Sequence, residues 1–103
     1  MALKLQRLGW QVHDAPDAHA AIEIADRLAC HLNVLITDMH MPGMPGDALI
    51  RHIRTVCPYV DVLAITGALP EFSSGLANIP FLKKPFPMDQ LVEAVRDILS
   101  AQL

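Results

Sequence analysis

The chain has 103 residues, 52% of them apolar, with eight Lys and Arg against eleven Asp and Glu for a formal charge of −3. That length holds one small domain around a single core, and the apolar fraction excludes disorder and low complexity. The basic residues are scattered apart from Lys83-Lys84, which excludes an electrostatic footprint for nucleic acid, and the apolar runs Val34-Leu35-Ile36 and Val62-Leu63-Ala64-Ile65 fall far short of the roughly 18 residues of a membrane span.

Residues 2–8 read as a helix with Leu5 and Leu8 on one face, closed at Gly9 by the residue type that adopts a left-handed conformation. The alternation of charged and apolar residues there is too rapid for a signal peptide, so a cytoplasmic location is expected. From Trp10 to Ala15 the pattern alternates and predicts a strand that Pro16 ends. Asp17 is placed to cap a helix running to about Cys30, with Ile22, Ala25, Leu28, Ala29 and Leu32 on its apolar face. Cys30 and Cys57 stand far apart without a Cys-x-x-Cys pair, and both are expected to be buried reduced thiols.

Val34-Leu35-Ile36-Thr37 is a continuous apolar run that ends in Asp38, the pattern of a strand covered on both faces. A Pro- and Gly-rich loop from Met39 to Gly46 follows, and Asp47 then opens a helix that buries Leu49, Ile53 and Val56 before Pro58 closes it. A second buried strand spans Val60 to Ile65 and ends in Thr66-Gly67. Between Ala68 and Ile79 the pattern is weak, and at most a short irregular helix fits. Phe81-Leu82-Lys83 is a third short strand that runs into Lys84-Pro85. Met88 to Leu99 is the clearest helix, with Leu91, Val95, Ile98 and Leu99 facing the core and Asp89 at the positive end of its dipole. Strands and helices alternate throughout. The economical fold is an open α/β parallel sheet with helices on its faces, in one domain over residues 1–103.

Ligands of such sheets sit beyond the carboxyl ends of the strands. Asp38, Thr66 and Lys84 fall at three such ends, and together they supply a carboxylate, a hydroxyl and an ammonium. A carboxylate can attack phosphorus, a hydroxyl can hydrogen-bond a phosphoryl oxygen, and a lysine can neutralise the charge of the transferred group. Each residue alone has a commoner use, as a turn residue or a solvated charge; the coincidence of the three is what points to a phosphoryl site. His13, His19, His31 and His52 show no ligand spacing, and Trp10 reads as a core or interface aromatic.

The segments Leu35-Ile36-Thr37-Asp38-Met39-His40-Met41-Pro42-Gly43-Met44-Pro45-Gly46, Ala64-Ile65-Thr66-Gly67 and Phe81-Leu82-Lys83-Lys84-Pro85-Phe86 resemble the response-regulator receiver domain of bacterial two-component signalling. The resemblance covers the whole chain. It implies a flavodoxin-like, doubly wound sheet and a phosphoacceptor role for Asp38, which would take a phosphoryl group from the phosphohistidine of a histidine kinase or phosphotransfer domain. It further implies that Thr66 is the switch hydroxyl, Phe81 the aromatic whose burial follows it, and Lys84 the phosphate-pairing lysine, with a cis bond to Pro85. His40 would offer its backbone carbonyl to a Mg2+ ion. The domain would assist its own phosphorylation without being a turnover enzyme, either as a stand-alone regulator or as the terminal piece of a hybrid kinase.

Two departures from the family pattern carry expectations of their own. The family's first, central strand, with the acidic pair that holds magnesium, has no counterpart before Ala2, so the chain is expected to be truncated and to begin inside the first helix. Asp38 is then the one carboxylate that the motif supplies for the metal. The resulting gap is expected to close by re-pairing of strands or by exchange with another copy, giving a homodimer or higher oligomer. The stretch from Thr66 to Lys84 is also about one helical turn shorter than in the family, which implies an altered output surface. The competing reading is a degenerate receiver that acts as a phosphorylation-independent binding module. Aspartyl-nucleophile phosphatases share the chemistry but carry a second Asp where this chain has His40.

Overall fold

A computed structural model describes residues 2–28, 31–39, 44, 46–67 and 79–102. It contains helices α1 (Ala2–Arg7) and α2 (Ala18–Leu28), strand β1 (Val34–Asp38), helix α3 (Gly46–Val56), strands β2 (Asp61–Thr66) and β3 (Phe81–Lys83), and helix α4 (Met88–Ser100). The strands form one parallel sheet in the order β1-β2-β3, with Val34 to Asp38 opposite Asp61 to Ile65 and Ala64 to Thr66 opposite Phe81 to Lys83. Parallel neighbours need a crossover, and α3 supplies the one between β1 and β2.

Helices cover both faces of this sheet. On one face Leu35 packs with Ala18 and Ala25 of α2 and with Leu49 and Ile53 of α3, while Val62 and Ala64 meet Ile50. On the other face Ile36, Leu63 and Leu82 pack with Leu91 and Val95 of α4, and Trp10 joins them. Because successive strand residues point to opposite faces, this double cover explains why the β1 and β2 sequences are continuous apolar runs rather than alternating ones. The architecture is the flavodoxin-like, doubly covered parallel sheet that the sequence implied.

Several local signals act as expected. Gly9 takes a positive φ of 93° after the last turn of α1, a conformation that costs residues with a Cβ. The Asp17 carboxylate accepts a 2.8 Å hydrogen bond from the Ala20 N–H and so caps α2. Asp47 lies in the first turn of α3, Asp89 in the first turn of α4, and Cys57 is a buried thiol outside any disulfide. The expectations for Cys30, Ala29, His40 and the irregular helix within residues 68–78 lie outside the described residues.

Two expectations are corrected. Val56 is 38% exposed rather than buried, because the inner face of α3 is set by Leu49, Ile50, Ile53 and then Cys57, which leaves Val56 on the rim. Trp10 to Ala15 is not a strand: its alternation suits one, but it has no strand partner among the described residues, and a strand is stable only within a ladder. The expected re-pairing of strands is likewise not seen, since β1 pairs with β2 alone among the described strands. A cavity of about 770 Å³ lies where that pairing would be, lined by Trp10 to Ala15 and by Val34 to Thr37.

Candidate functional site

Three strand ends build the site. Asp38 is the last residue of β1, Thr66 the last of β2, and Lys84 follows β3 directly. The ladder continues past the strands at this end: the Met39 N–H donates to the Ile65 carbonyl at 2.8 Å and the Lys84 N–H to the Thr66 carbonyl at 2.7 Å. These bonds fix the heights of the three residues relative to one another. Side-chain position at the site therefore follows from sheet register rather than from loop conformation.

The Lys84 ammonium donates a charge-assisted hydrogen bond to Asp38 Oδ2, and both side chains are partly open to solvent. Such a pair aims the carboxylate while leaving it reachable from solvent. Thr66 is buried at 2% exposure, next to this pair in the sheet. Thr37 is also buried, and its hydroxyl donates to the Asp38 carbonyl at 3.2 Å, tying the main chain that carries the acid. The Lys84–Pro85 peptide bond is cis. Phe81, at the other end of β3, is 43% exposed.

Sequence reasoning passed over Gly46 and Thr37. A Cβ at Gly46 would lie 2.7 Å from the Met39 Cα and 3.0 Å from the Asp38 carbonyl oxygen, so the first turn of α3 rests on the backbone just after the acid. The Gly46 N–H also donates to the Met39 carbonyl at 3.3 Å. A glycine at the end of a Pro- and Gly-rich loop looks like turn chemistry in sequence, and nothing there marks this close approach. Thr37 had a weak signal, as the one hydroxyl in an otherwise apolar run.

Magnesium asks for an octahedral shell of oxygens with one or two carboxylates. The described residues at this site offer Asp38, already paired with Lys84, and contain no group of three His, Cys, Asp or Glu arranged for a metal. Asp14 and Asp17 lie along the cavity rather than at the pair. The described donor set thus does not fit a magnesium ion, and the chemistry below is derived from the protein groups alone. No described helix is long and apolar enough to cross a membrane.

An acid, a buried hydroxyl and a lysine thus stand at the carboxyl ends of a parallel sheet covered on both faces, in a flavodoxin-like α/β fold. Comparison with known proteins agrees: the response regulator receiver domain family matches residues 1–96, and the chain belongs to that family, which serves two-component signalling. It is 33% identical over 102 residues to the sensor kinase CckA of Brucella abortus, a match that takes in 95% of this chain and 11% of that protein. It is also 33% identical over 85 residues to the C4-dicarboxylate transport transcriptional regulatory protein DctD of Rhizobium meliloti, covering 77% of this chain and 18% of the relative. The chain thus spans a small part of the length of these curated relatives. Among solved structures, the receiver domain of the hybrid histidine kinase CckA superposes with a TM-score of 0.81 at 32% identity, over 95% of this chain and 84% of that one. A response regulator receiver protein from Sinorhizobium medicae gives a TM-score of 0.81 at 27% identity, over 96% and 82% of the two chains.

Proposed function

We propose that this chain is a phosphoacceptor: Asp38 takes a phosphoryl group from a phosphohistidine of a histidine kinase or phosphotransfer domain, in the cytoplasm, and the acyl phosphate alters a partner-binding surface. The observation that carries this reading is the Lys84–Asp38 pair beside buried Thr66. In the step, a carboxylate oxygen of Asp38 forms a bond to phosphorus while the phosphorus–nitrogen bond breaks. The electron pair leaves with the imidazole nitrogen; the donor ring, protonated on its other nitrogen, departs as a neutral imidazole, so the step needs no further proton. Lys84 faces the negative charge spread over the equatorial oxygens, and Thr66 supplies a hydroxyl to one of them. One phosphoryl group is taken per chain, so the protein is a stoichiometric acceptor and not a turnover enzyme.

The kinship to a sensor kinase and to transcriptional regulators supports a kinase as the donor. The test is intact mass after incubation with phosphoramidate, whose phosphorus–nitrogen bond mimics the donor, beside an Asp38→Ala control. A single phosphoryl adduct that the control lacks is the expected result. Absence of any adduct, with the fold intact by circular dichroism, overturns the reading in favour of a phosphorylation-independent binding module. The same incubation with and without magnesium reads how far adduct formation depends on the metal.

A further inference from the structure

Thr37 and Thr66 are the two buried polar residues among those described. A hydroxyl taken out of water is a cost unless a hydrogen bond offsets it, so each calls for a use. Thr66 has one at the phosphoryl site. Thr37 lies one residue before the acid, and its hydroxyl donates to the Asp38 carbonyl at 3.2 Å.

The two neighbours face opposite ways. Thr37 stands opposite Ala64 in the ladder, on the face where Ala64 packs with Ile50 of α3. Asp38 follows the alternation of Ile36, which packs with Leu91 and Val95 of α4. The Thr37 hydroxyl is therefore not aimed at a phosphoryl group in front of the carboxylate, and whatever it does for the chemistry passes through the main chain.

The route is short. From Oγ1 the ring closed by this bond runs through Cβ, Cα and C of Thr37 and N, Cα and C of Asp38 to the carbonyl oxygen, so it contains both φ and ψ of Asp38. The same peptide unit is held at its other end, where the Met39 N–H donates to the Ile65 carbonyl at 2.8 Å. The C=O and N–H of a trans peptide point in opposite directions, and the two bonds clamp one rigid plane from both sides. A Cβ at Gly46 would come within 3.0 Å of that same carbonyl oxygen, so the start of α3 lies against the clamp as well. Inside a strand the ladder fixes such rotations. At Asp38, the last residue of β1, the ladder supplies one further bond through Met39 and the Thr37 hydroxyl adds a second hold.

We infer that Thr37 is a positioning residue for phosphoryl transfer: its hydroxyl sets the Asp38 peptide plane, and with it the line along which the carboxylate oxygen approaches phosphorus. This rests on the phosphoacceptor reading above. Attack on phosphorus is in line with the leaving atom, so a carboxylate that swings off that line reacts more slowly although its charge and its partners are unchanged.

The test follows the rate of adduct formation from phosphoramidate by intact mass for wild type, Thr37→Val and Thr37→Ser, with Tm measured on the same samples. Valine keeps the branched shape and lacks the hydroxyl; serine keeps the hydroxyl and lacks the methyl. Thr37→Val should form the adduct about tenfold more slowly, and Thr37→Ser should return to within about twofold of wild type. Tm should rank the two variants the other way, because serine gives up a buried methyl and the β-branching that suits a strand, whereas valine keeps both. A side chain that only holds the fold together does not give that crossing. Rates that rank with Tm, or equal rates in all three proteins, overturn the inference and leave Asp38 a phosphoacceptor. No adduct on the wild-type chain overturns the phosphoacceptor reading and this inference with it. Should Thr37→Val fail to fold, Thr37→Ala replaces it, since alanine and serine differ by the hydroxyl alone; equal rates for that pair overturn the inference as well.

Discussion

Lys84 and Asp38 meet because β1 and β3 end at the same edge of the sheet on either side of β2, and the consequences of that meeting separate stability from chemistry. Both side chains are partly exposed, so water screens the pair, and Lys84→Ala should destabilise the fold by no more than about 1 kcal/mol in urea unfolding. The same substitution removes the cation that faces the phosphoryl oxygens, and adduct formation from phosphoramidate should slow about a hundredfold by intact mass. Thr66→Val keeps the shape of a buried side chain but deletes its hydroxyl; the expected result is an adduct that forms on Asp38 without the change in hydrogen exchange along β3 that is expected of the wild-type adduct. Gly46 belongs at this scale too. Its missing Cβ lets α3 start against Met39, so Gly46→Ala should cost about 1–3 kcal/mol in thermal unfolding through overpacking against backbone that cannot yield cheaply. Asp38, Thr66 and Lys84 were legible in sequence because each closes a recognisable apolar run. Gly46 was not, because its role depends on a contact with a loop rather than on its own neighbours.

At the scale of elements, local chemistry predicts existence and ends better than it predicts faces. Asp17 caps α2 through the Ala20 N–H, and Asp17→Ala should lower stability by about 1 kcal/mol with a matching loss of protection in the first turn of α2 by hydrogen exchange. The apolar periodicity of α3 identified the helix but put Val56 inside, where the true inner face turns through Ile50 instead. A helix wheel cannot say which flank of an apolar stripe faces the neighbour; the positions of α2 and the sheet decide that. The end of α4 is fastened by a contact with no sequence signature. The Gln102 side chain donates to the Asn33 carbonyl at 3.0 Å and to Asp61 Oδ2 at 2.6 Å, joining the turn after α4 to the amino ends of β1 and β2. It lies at the opposite end of the sheet from Asp38, so Gln102→Ala should loosen that turn in hydrogen exchange and leave the adduct yield unchanged.

For the whole molecule, the sheet covered on both faces accounts for most of the burial, and the cavity beside β1 is where cover is incomplete. A fluorescent apolar dye such as ANS should therefore bind the native chain. Dye binding that appears only on unfolding would contradict an open apolar cavity there. The sequence by itself determined the alternation of helices and strands, the parallel pairing, and the acid, hydroxyl and lysine at the strand ends, because these depend on spacing, capping and turn chemistry carried by neighbours along the chain. Only the tertiary structure decided that Trp10 to Ala15 stays outside the sheet, that Ile50 rather than Val56 is the buried flank of α3, and that Gly46 bears on the backbone of Asp38 and Met39. Each of those depends on what stands opposite a residue in space. A strand pattern becomes a strand only when another edge meets it.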